Sequence, residues 1–145
     1  MTGTDSRYLC IHLGNDEFAI PLLLVKEVIG LPDMTPIPQA ASHFSGIMNL
    51  RGKIISVMDL RVKLGMKGQS TSETTVIILD IDGHSLGVVV DKVNSVQVLS
   101  PEMMSEKPAI DSTRASEYIQ GVFRRHDKIV LILDVAKALQ AGKAA

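Results

Sequence analysis

The pattern with the most obvious chemistry is Gly-His-Ser-Leu-Gly at positions 83–87, which matches the Gly-x-Ser-x-Gly motif of serine hydrolases. That mechanism needs the serine on a sharp turn between a strand and a helix, followed by an acid and a histidine. Residues 88–90 are three valines that continue the segment as a strand, so Ser85 is predicted to lie in a β-hairpin. A hydrolase that uses Ser85 is therefore a disfavoured alternative. A turn at Gly83 and close packing at Gly87 explain the two glycines better.

Two further pairs of residues have spacings that could serve a metal or a pair of catalytic carboxylates. Cys10 and His12 share one face of a predicted strand, but the sequence has no second pair at ligand spacing. Asp80 and Asp82 precede a turn, where they are better explained as hairpin caps than as a glycosidase pair. The sequence also lacks a glycine-rich phosphate loop followed by Lys-Ser/Thr. We therefore expect no enzymatic activity, no metal site and no cofactor.

The composition narrows the possible partners. Apolar residues make up 46% of the 145 residues and charged residues 21%, which favours one folded domain over disorder. The formal net charge of −1 gives no bulk attraction to nucleic acid or to an anionic membrane. One cysteine excludes an intramolecular disulfide and suits a reducing compartment. The longest apolar run, residues 18–25, is far shorter than the roughly 20 residues that span a bilayer. We expect a cytoplasmic protein without direct membrane insertion.

Short, valine- and isoleucine-rich runs separated by turn residues dominate the chain, and they predict a mainly β barrel or sandwich. The predicted strands are residues 8–13, 17–20, 25–29, 46–49, 53–58, 74–81, 85–90, 93–98, 121–125 and 128–133. Short helices are predicted at 60–64 and 135–140, with a turn at 101–104 and loops at 67–73 and 105–117.

The chain also contains a weak internal repeat. Residues 46–60 read GIMNLRGKIISVMDL, and residues 121–135, 75 positions later, read GVFRRHDKIVLILDV. Both predict a strand, a tight turn, an apolar strand, an aspartate and a short helix. The opening parts of the repeat match more weakly, at an offset of 68 positions. Each half is too small to bury a large core alone, so the halves should pack together with a groove between them as the natural binding site.

Two charged residues indicate a contact surface. Period-2 alternation places Val25, Glu27 and Ile29 on one face, and a carboxylate between two aliphatic residues suits an interface better than a core. Arg51 lies in a predicted hairpin turn, where its guanidinium could pair with a carboxylate. We predict that Glu27 and Arg51 interact. The alternative to a contact surface is that the two residues are merely solvated or pair with each other.

These residues belong to segments that resemble the CheW family, the coupling proteins of bacterial chemotaxis. The most specific segment is GIMNLRGKIISVMDLR at 46–61, in which an Asn-Leu-Arg-Gly turn precedes an apolar strand ending in Asp-Leu-Arg. The resemblance covers nearly the whole chain. The other matching segments are FAIP at 18–21, VKEVI at 25–29, TPIP at 35–38, LGVVVD at 86–91, VxxV at 93–96, EYIQG at 117–121 and IVLILD at 129–134.

The resemblance implies two SH3-like five-stranded β-barrels around a shared core, with short helices. It implies one CheW-like domain over residues 1–145, with approximate subdomains 14–80 and 1–13 plus 81–145, or a similar strand exchange, and a frayed tail at 141–145. It also implies a non-enzymatic adaptor that couples the cytoplasmic tip helices of a chemoreceptor to the regulatory domain of the histidine kinase CheA. An adaptor of another pathway, such as motility or development, and a small-molecule module using the groove remain alternatives.

Carried over by position, the resemblance implies that Glu27 and Arg51 are important for coupling. It likewise connects Val25, Gly46 and Gly87 with receptor or kinase contact. The whole predicted binding set is Val25, Glu27, Gly46, Asn49, Leu50, Arg51, Gly52 and Gly87. The receptor helix is expected in the groove between the halves, and the kinase at exposed ends of the barrels.

Overall fold

A computed structural model describes residues 6–66, 70–105, 118–125 and 127–143. The strands are β1 (Ser6–Leu13), β2 (Asp16–Pro21), β3 (Val25–Gly30), β4 (Phe44–Leu50), β5 (Lys53–Asp59), β6 (Thr75–Ile81), β7 (His84–Val90), β8 (Lys92–Leu99), β9 (Met104–Ser105), β10 (Ile119–Arg125) and β11 (Lys128–Leu133). The helices are α1 (Leu60–Lys63) and α2 (Val135–Lys143), with 3-10 turns at Leu22–Leu24 and Pro101–Met103. All ten predicted strands are present, each within two residues of its predicted bounds. The two-residue β9 was not predicted as a strand.

The strands form two sheets, which confirms the mainly β prediction. The first sheet has the order β8-β1-β2-β11-β10-β9, and the second has the order β3-β6-β7-β5-β4. Apart from the very short β9, each sheet therefore contains five strands. Most neighbours are antiparallel, but β5 pairs with β7, and β11 with β2, in parallel.

The internal repeat is visible in the strand register. Gly46 lies opposite Val57 in the β4–β5 hairpin. In the β10–β11 hairpin the residues 75 positions later, Gly121 and Ile132, lie opposite each other. A register shift precedes the glycine in both hairpins. The two halves of the chain thus form the same arrangement of strands, as the repeat predicted.

The two repeats exchange strands. The second sheet combines β3, β4 and β5 of the first repeat with β6 and β7 of the second, and the first sheet takes the remaining long strands. The chain therefore passes between sheets at residues 21–25 and 90–92. The approximate subdomains 14–80 and 1–13 plus 81–145, or a similar strand exchange, stay a prediction. In the sheets, β2 pairs with β1 and β7 pairs with β6, both antiparallel. The parallel pairs β5–β7 and β11–β2 join strands of different repeats.

Strand alternation creates three buried clusters. In β1, Leu9 and Ile11 face a cluster shared by both sheets, whereas Cys10 between them faces an interior cluster of the first sheet. In β6, Ile77 faces the shared cluster, whereas Ile78 faces an interior cluster of the second sheet. Every long strand of a sheet, including the strands at its two ends, contributes to that sheet's own interior cluster. Each sheet thus wraps around its own interior, as in a small barrel, and the two barrels pack on a shared core. We call the barrel of the first sheet the first barrel and that of the second sheet the second barrel.

The chain's later segments differ partly from expectation. α2 continues to Lys143, whereas the helix was predicted to end at residue 140 with fraying over 141–145. Residues 144–145 and 106–117, most of the predicted long loop, lie outside the described residues. Among the residues that the structure describes, no helix is long and apolar enough to cross a membrane.

Candidate functional site

Glu27 and Arg51 form an ion pair across the open side of the second sheet. Nη2 of Arg51 binds Oε1 of Glu27, and Nη1 donates to Oε2 at 3.4 Å. Glu27 belongs to β3 and Arg51 follows β4, which are the first and last strands in the order of that sheet. The pair therefore bridges the two edges of the barrel. Hydrogen bonding and charge attraction from Glu27 raise the pKa of Arg51. The predicted interaction is confirmed.

The turn holds the backbone of Arg51 in a left-handed conformation, which is unfavourable for a residue other than glycine, asparagine or aspartate. Arg51 has a φ of 50° and Gly52 a φ of 89°, as in the two-residue type I′ turns that join β-hairpins. The Asn49 side chain accepts a hydrogen bond from the Gly52 amide at 2.8 Å. Glycine, asparagine or aspartate is the favoured residue where Arg51 stands. Its side chain is nevertheless 69% exposed, so an arginine here presents a cation to solvent at a backbone position that disfavours it.

Four other predicted site residues pack inside the protein and are less exposed than Arg51. Val25 and Leu50 are half-buried and pack against the shared core and the second barrel's interior, respectively. Gly46 has a φ of 145°, and a Cβ there would lie 2.5 Å from the carbonyl oxygen of Thr35. Gly87 is buried, and a Cβ there would lie 3.1 Å from Cγ1 of Val76. Direct partner contact by the two glycines stays a prediction. The structure gives both of them a packing role.

A groove of about 700 Å³ lies beside the Arg51 turn. Its walls are β5 and the β6–β7 hairpin of the second sheet, together with α2, which follows the first sheet. The apolar lining includes Phe44, Ile54, Met58, Leu86 and Leu139, and the polar lining includes Lys53, Asp82, His84 and Ser85. Ile54 is 66% exposed, so it offers apolar surface at the groove. The groove between the halves was predicted, but its lining residues were not.

The two repeats differ at one helix position that lines the groove. Ala136 and Leu139 of α2 line it. The residues 75 positions earlier are Arg61 and Leu64. The side chain of Arg61 is only 4% exposed and binds Asp59 and Asp91. One half thus has a small alanine beside the groove, and the other half has a large buried arginine at the corresponding position. Comparison of the two repeats at these positions was the sequence signal that could have found the groove.

Two residues considered for catalysis or metal binding, Ser85 and Cys10, lie in strands. Ser85 lies in β7 opposite Asp80, so its predicted position in a hairpin is confirmed. Its hydroxyl accepts a hydrogen bond from Nζ of Lys26 at 3.0 Å. Cys10 is fully buried. In the described parts of the chain, no group of three or more His, Cys, Asp or Glu side chains is arranged to hold a metal ion.

Comparison with known proteins gives consistent matches over nearly the whole chain. The CheW-like domain model matches residues 7–143. The chemotaxis protein CheW of Klebsiella aerogenes is 34% identical over 139 residues, covering 95% of this chain and 84% of that protein. The CheW of Treponema pallidum is 30% identical, covering 87% and 77%. Protein FrzA of Myxococcus xanthus is 24% identical, covering 96% and 88%. The crystal structure of the scaffolding protein TtCheW from Thermoanaerobacter tengcongensis has a TM-score of 0.81 at 27% identity, covering 90% of this chain and 89% of that one.

Proposed function

Since this chain belongs to the CheW family, we propose that it couples the cytoplasmic tips of chemoreceptors to the regulatory domain of the histidine kinase CheA. It acts there as a non-enzymatic adaptor that transmits receptor control of kinase activity. It resides in the cytoplasm and associates with the membrane through receptor arrays.

The observation that carries the proposal is the apolar groove between the second barrel and α2. An amphipathic helix docks by inserting aliphatic side chains, spaced three and four residues apart, into such a groove. The exposed Ile54 and the half-buried Phe44 and Leu86 offer apolar surface for those side chains. A receptor tip presents helices of this kind, so we assign the groove to the receptor.

The Arg51 turn is the second part of the proposed site. The exposed Asn49 and Arg51 and the partly exposed Glu27 are positioned to touch a partner directly. The remaining members of the proposed set support them, and these are Val25, Gly46, Leu50, Gly52 and Gly87. Glu27 already pairs with Arg51, so a charged group of the partner must either replace one member of this pair or bind beside it. Charge contacts of this kind contribute more to specificity than to affinity.

An adaptor transmits a signal only if its binding free energy differs between the signalling states of its partners. The proposal therefore requires that receptor activation change the contacts of this chain with the receptor or the kinase. A chain that bound both states equally would hold an array together without controlling the kinase.

Co-sedimentation with receptor-bearing membranes and CheA from the same cell tests the proposal. We expect the wild-type chain to bring the kinase down with the membranes. We expect Arg51→Glu to reduce this recovery while remaining folded, because an exposed turn tolerates charge reversal. Lys128→Glu, a reversal at the exposed start of β11, is the matched control. If the wild-type chain sediments with neither partner, the assignment is wrong.

FrzA supports one alternative, an adaptor of another receptor and kinase pathway such as motility or development. The same assay distinguishes the two possibilities. Membranes and kinase from the other pathway would then recover the wild-type chain, and chemotaxis components would not.

A further inference from the structure

Each repeat contains a β-bulge, and the two bulges lie at corresponding positions. In β3 the pairing with β6 jumps from Val25 to Glu27, so Lys26 is the extra residue. In β8 the pairing with β1 jumps from Val93 to Ser95, so Asn94 is the extra residue, 68 positions later. Bulges re-aim a side chain and are frequent beside functional sites. The two bulges therefore direct Lys26 and Asn94 in corresponding ways.

The two re-aimed side chains make corresponding hydrogen bonds. Nδ2 of Asn94 donates to Oε2 of Glu17 at 3.0 Å. Nζ of Lys26 donates to Oγ of Ser85 at 3.0 Å, and Ser85 stands 68 positions after Glu17. The same hydrogen bond is thus made in both repeats, but the charged partner is the acceptor in one repeat and the donor in the other. One half joins a neutral amide to a carboxylate, and the other joins a cation to a neutral hydroxyl.

The first repeat consequently presents a cation whose hydrogen-bond partner, in the described part of the chain, is a neutral hydroxyl. Within the described residues Lys26 forms no ion pair, and Ser85 is its hydrogen-bond partner. Ser85 lines the groove, so Lys26 stands at its margin. Asp82, the carboxylate in the groove lining, forms no ion pair with Lys26. Serine is also much shorter than glutamate, which leaves space at the position that the Glu17 carboxylate occupies in the other half.

We propose that Lys26 is a specificity-determining residue of the groove, and that the docked helix supplies the carboxylate that Ser85 lacks. The inference rests on the proposed function, because it takes a helix as the occupant of the groove. The helix would carry an Asp or Glu beside its aliphatic anchors, and the Ser85 hydroxyl holds the lysine in position to meet it. Lys53 adds a second positive charge to the lining of the groove.

Binding of the full-length chain to a soluble receptor cytoplasmic fragment tests this proposal, with the dissociation constant measured at low and at raised salt. We expect Lys26→Met to weaken binding about threefold to tenfold at low salt and to flatten the salt dependence. Lys26→Arg should restore most of the affinity, because it retains the cation. Ser85→Ala should weaken the wild-type chain and have no further effect in the Lys26→Met background, since serine acts through the lysine. Lys128→Met, which removes an exposed lysine of the first barrel, is the matched control.

The outcomes separate this inference from the proposed function. If the wild-type chain does not bind the fragment, the assignment of the groove to the receptor fails. If it binds and Lys26→Met binds equally well, only the role of Lys26 is overturned. Equal losses in Lys26→Met and Lys128→Met would also overturn it, because they would indicate a general effect of net charge.

Discussion

Arg61 reaches Asp91 at the point where the chain passes from the second sheet to the first. Nη1 of Arg61 donates to Oδ1 of Asp91 at 2.8 Å, and the other oxygen of that carboxylate accepts from the amide of Gly14 at 2.7 Å. The Nε and Nη2 atoms of Arg61 also donate to Asp59, each at 2.9 Å. One guanidinium thus connects the second barrel, the crossover and the β1–β2 hairpin. The hydrogen bond to Asp59 raises the pKa of Arg61, so the residue is charged at any ordinary pH.

Removal of this cation should destabilise the whole molecule. Arg61→Met keeps most of the side-chain volume but leaves the carboxylates of Asp59 and Asp91 without their shared partner. We expect the free energy of unfolding to fall by about 2–4 kcal/mol in urea titrations, because breaking a buried ion pair leaves uncompensated charge. Arg51→Met is the control, since that ion pair is exposed and should change the unfolding midpoint little. Similar midpoints for the two variants would contradict a structural role for Arg61.

Gly46 should resist substitution for a backbone reason. The Thr35 amide and carbonyl exchange hydrogen bonds of 2.9 Å with Ile47, which brings the preceding loop against β4. A Cβ on Gly46 would meet that loop, so Gly46→Ala should cost about 2 kcal/mol or more of stability. Gly87→Ala is the comparison. Its Cβ would meet methyl groups of Val57 and Val76 rather than backbone, and the corresponding residue of the other repeat is Ala19.

For Gly87→Ala we expect a loss of about 1 kcal/mol, as for modest overpacking. Thermal or urea unfolding of the two variants measures the difference. If Gly46→Ala were the milder change, the close approach of Thr35 would not be the constraint at this position.

The fold was predictable because nearly every strand is short, rich in β-branched residues and closed by a turn residue. The repeat also predicted two similar halves, and the register of Gly46 and Gly121 bears this out. The exchange of strands between the sheets was harder to predict from the sequence, because parallel pairing joins residues far apart in the chain and leaves no local pattern.

The candidate site was predictable only where a residue broke a local rule. Glu27 interrupts an apolar face, and Arg51 occupies a turn position, so both could be identified from the sequence. The groove depends on tertiary differences that no single segment shows. In the sequence, Ala136 looks like an ordinary helix residue, and only comparison with the buried Arg61 distinguishes it. Lys26 likewise resembles a solvated lysine, because the bulge that directs it is visible only in the strand register.

The Glu27–Arg51 pair can be tested by exchanging its charges. Glu27→Arg and Arg51→Glu each place like charges across the barrel edge, so each should reduce co-sedimentation with receptor and kinase. The double variant restores opposite charges and should recover part of the loss if the pair itself positions the turn. A double variant no better than either single one would mean that the partners read each residue's charge separately.

His43 should make stability depend on pH. Its Nε2 atom is buried without a hydrogen-bond partner in the described part of the chain, and its ring stacks on Phe44 at a centroid distance of 5.1 Å. Burial, followed by the nearby positive charge of Lys63, lowers the pKa of His43 below its usual 6.5. As the pH falls through about 6.5, the unfolded chain gains a proton before the folded chain does, so stability is lost.

His43→Gln removes that titration while keeping a polar side chain. Urea midpoints measured from about pH 7.5 down to about pH 5 should fall more steeply for the wild-type chain than for the variant. Parallel profiles would show that burial of His43 has no effect on proton uptake.

A bulky residue at position 136 should close the groove without unfolding the protein. Ala136 lies in the first turn of α2 with its side chain exposed, and it lines the groove opposite the β6–β7 hairpin. Ala136→Trp should therefore weaken binding of the receptor fragment at least about tenfold, since the indole would occupy the space of the helix anchors. Stability should change by no more than about 0.5 kcal/mol, as is usual for an exposed position. Lys137→Trp, one residue further along the exposed side of the same helix and not part of the lining, should leave both properties nearly unchanged. Equal loss of binding in both variants would locate the contact on the helix surface rather than in the groove.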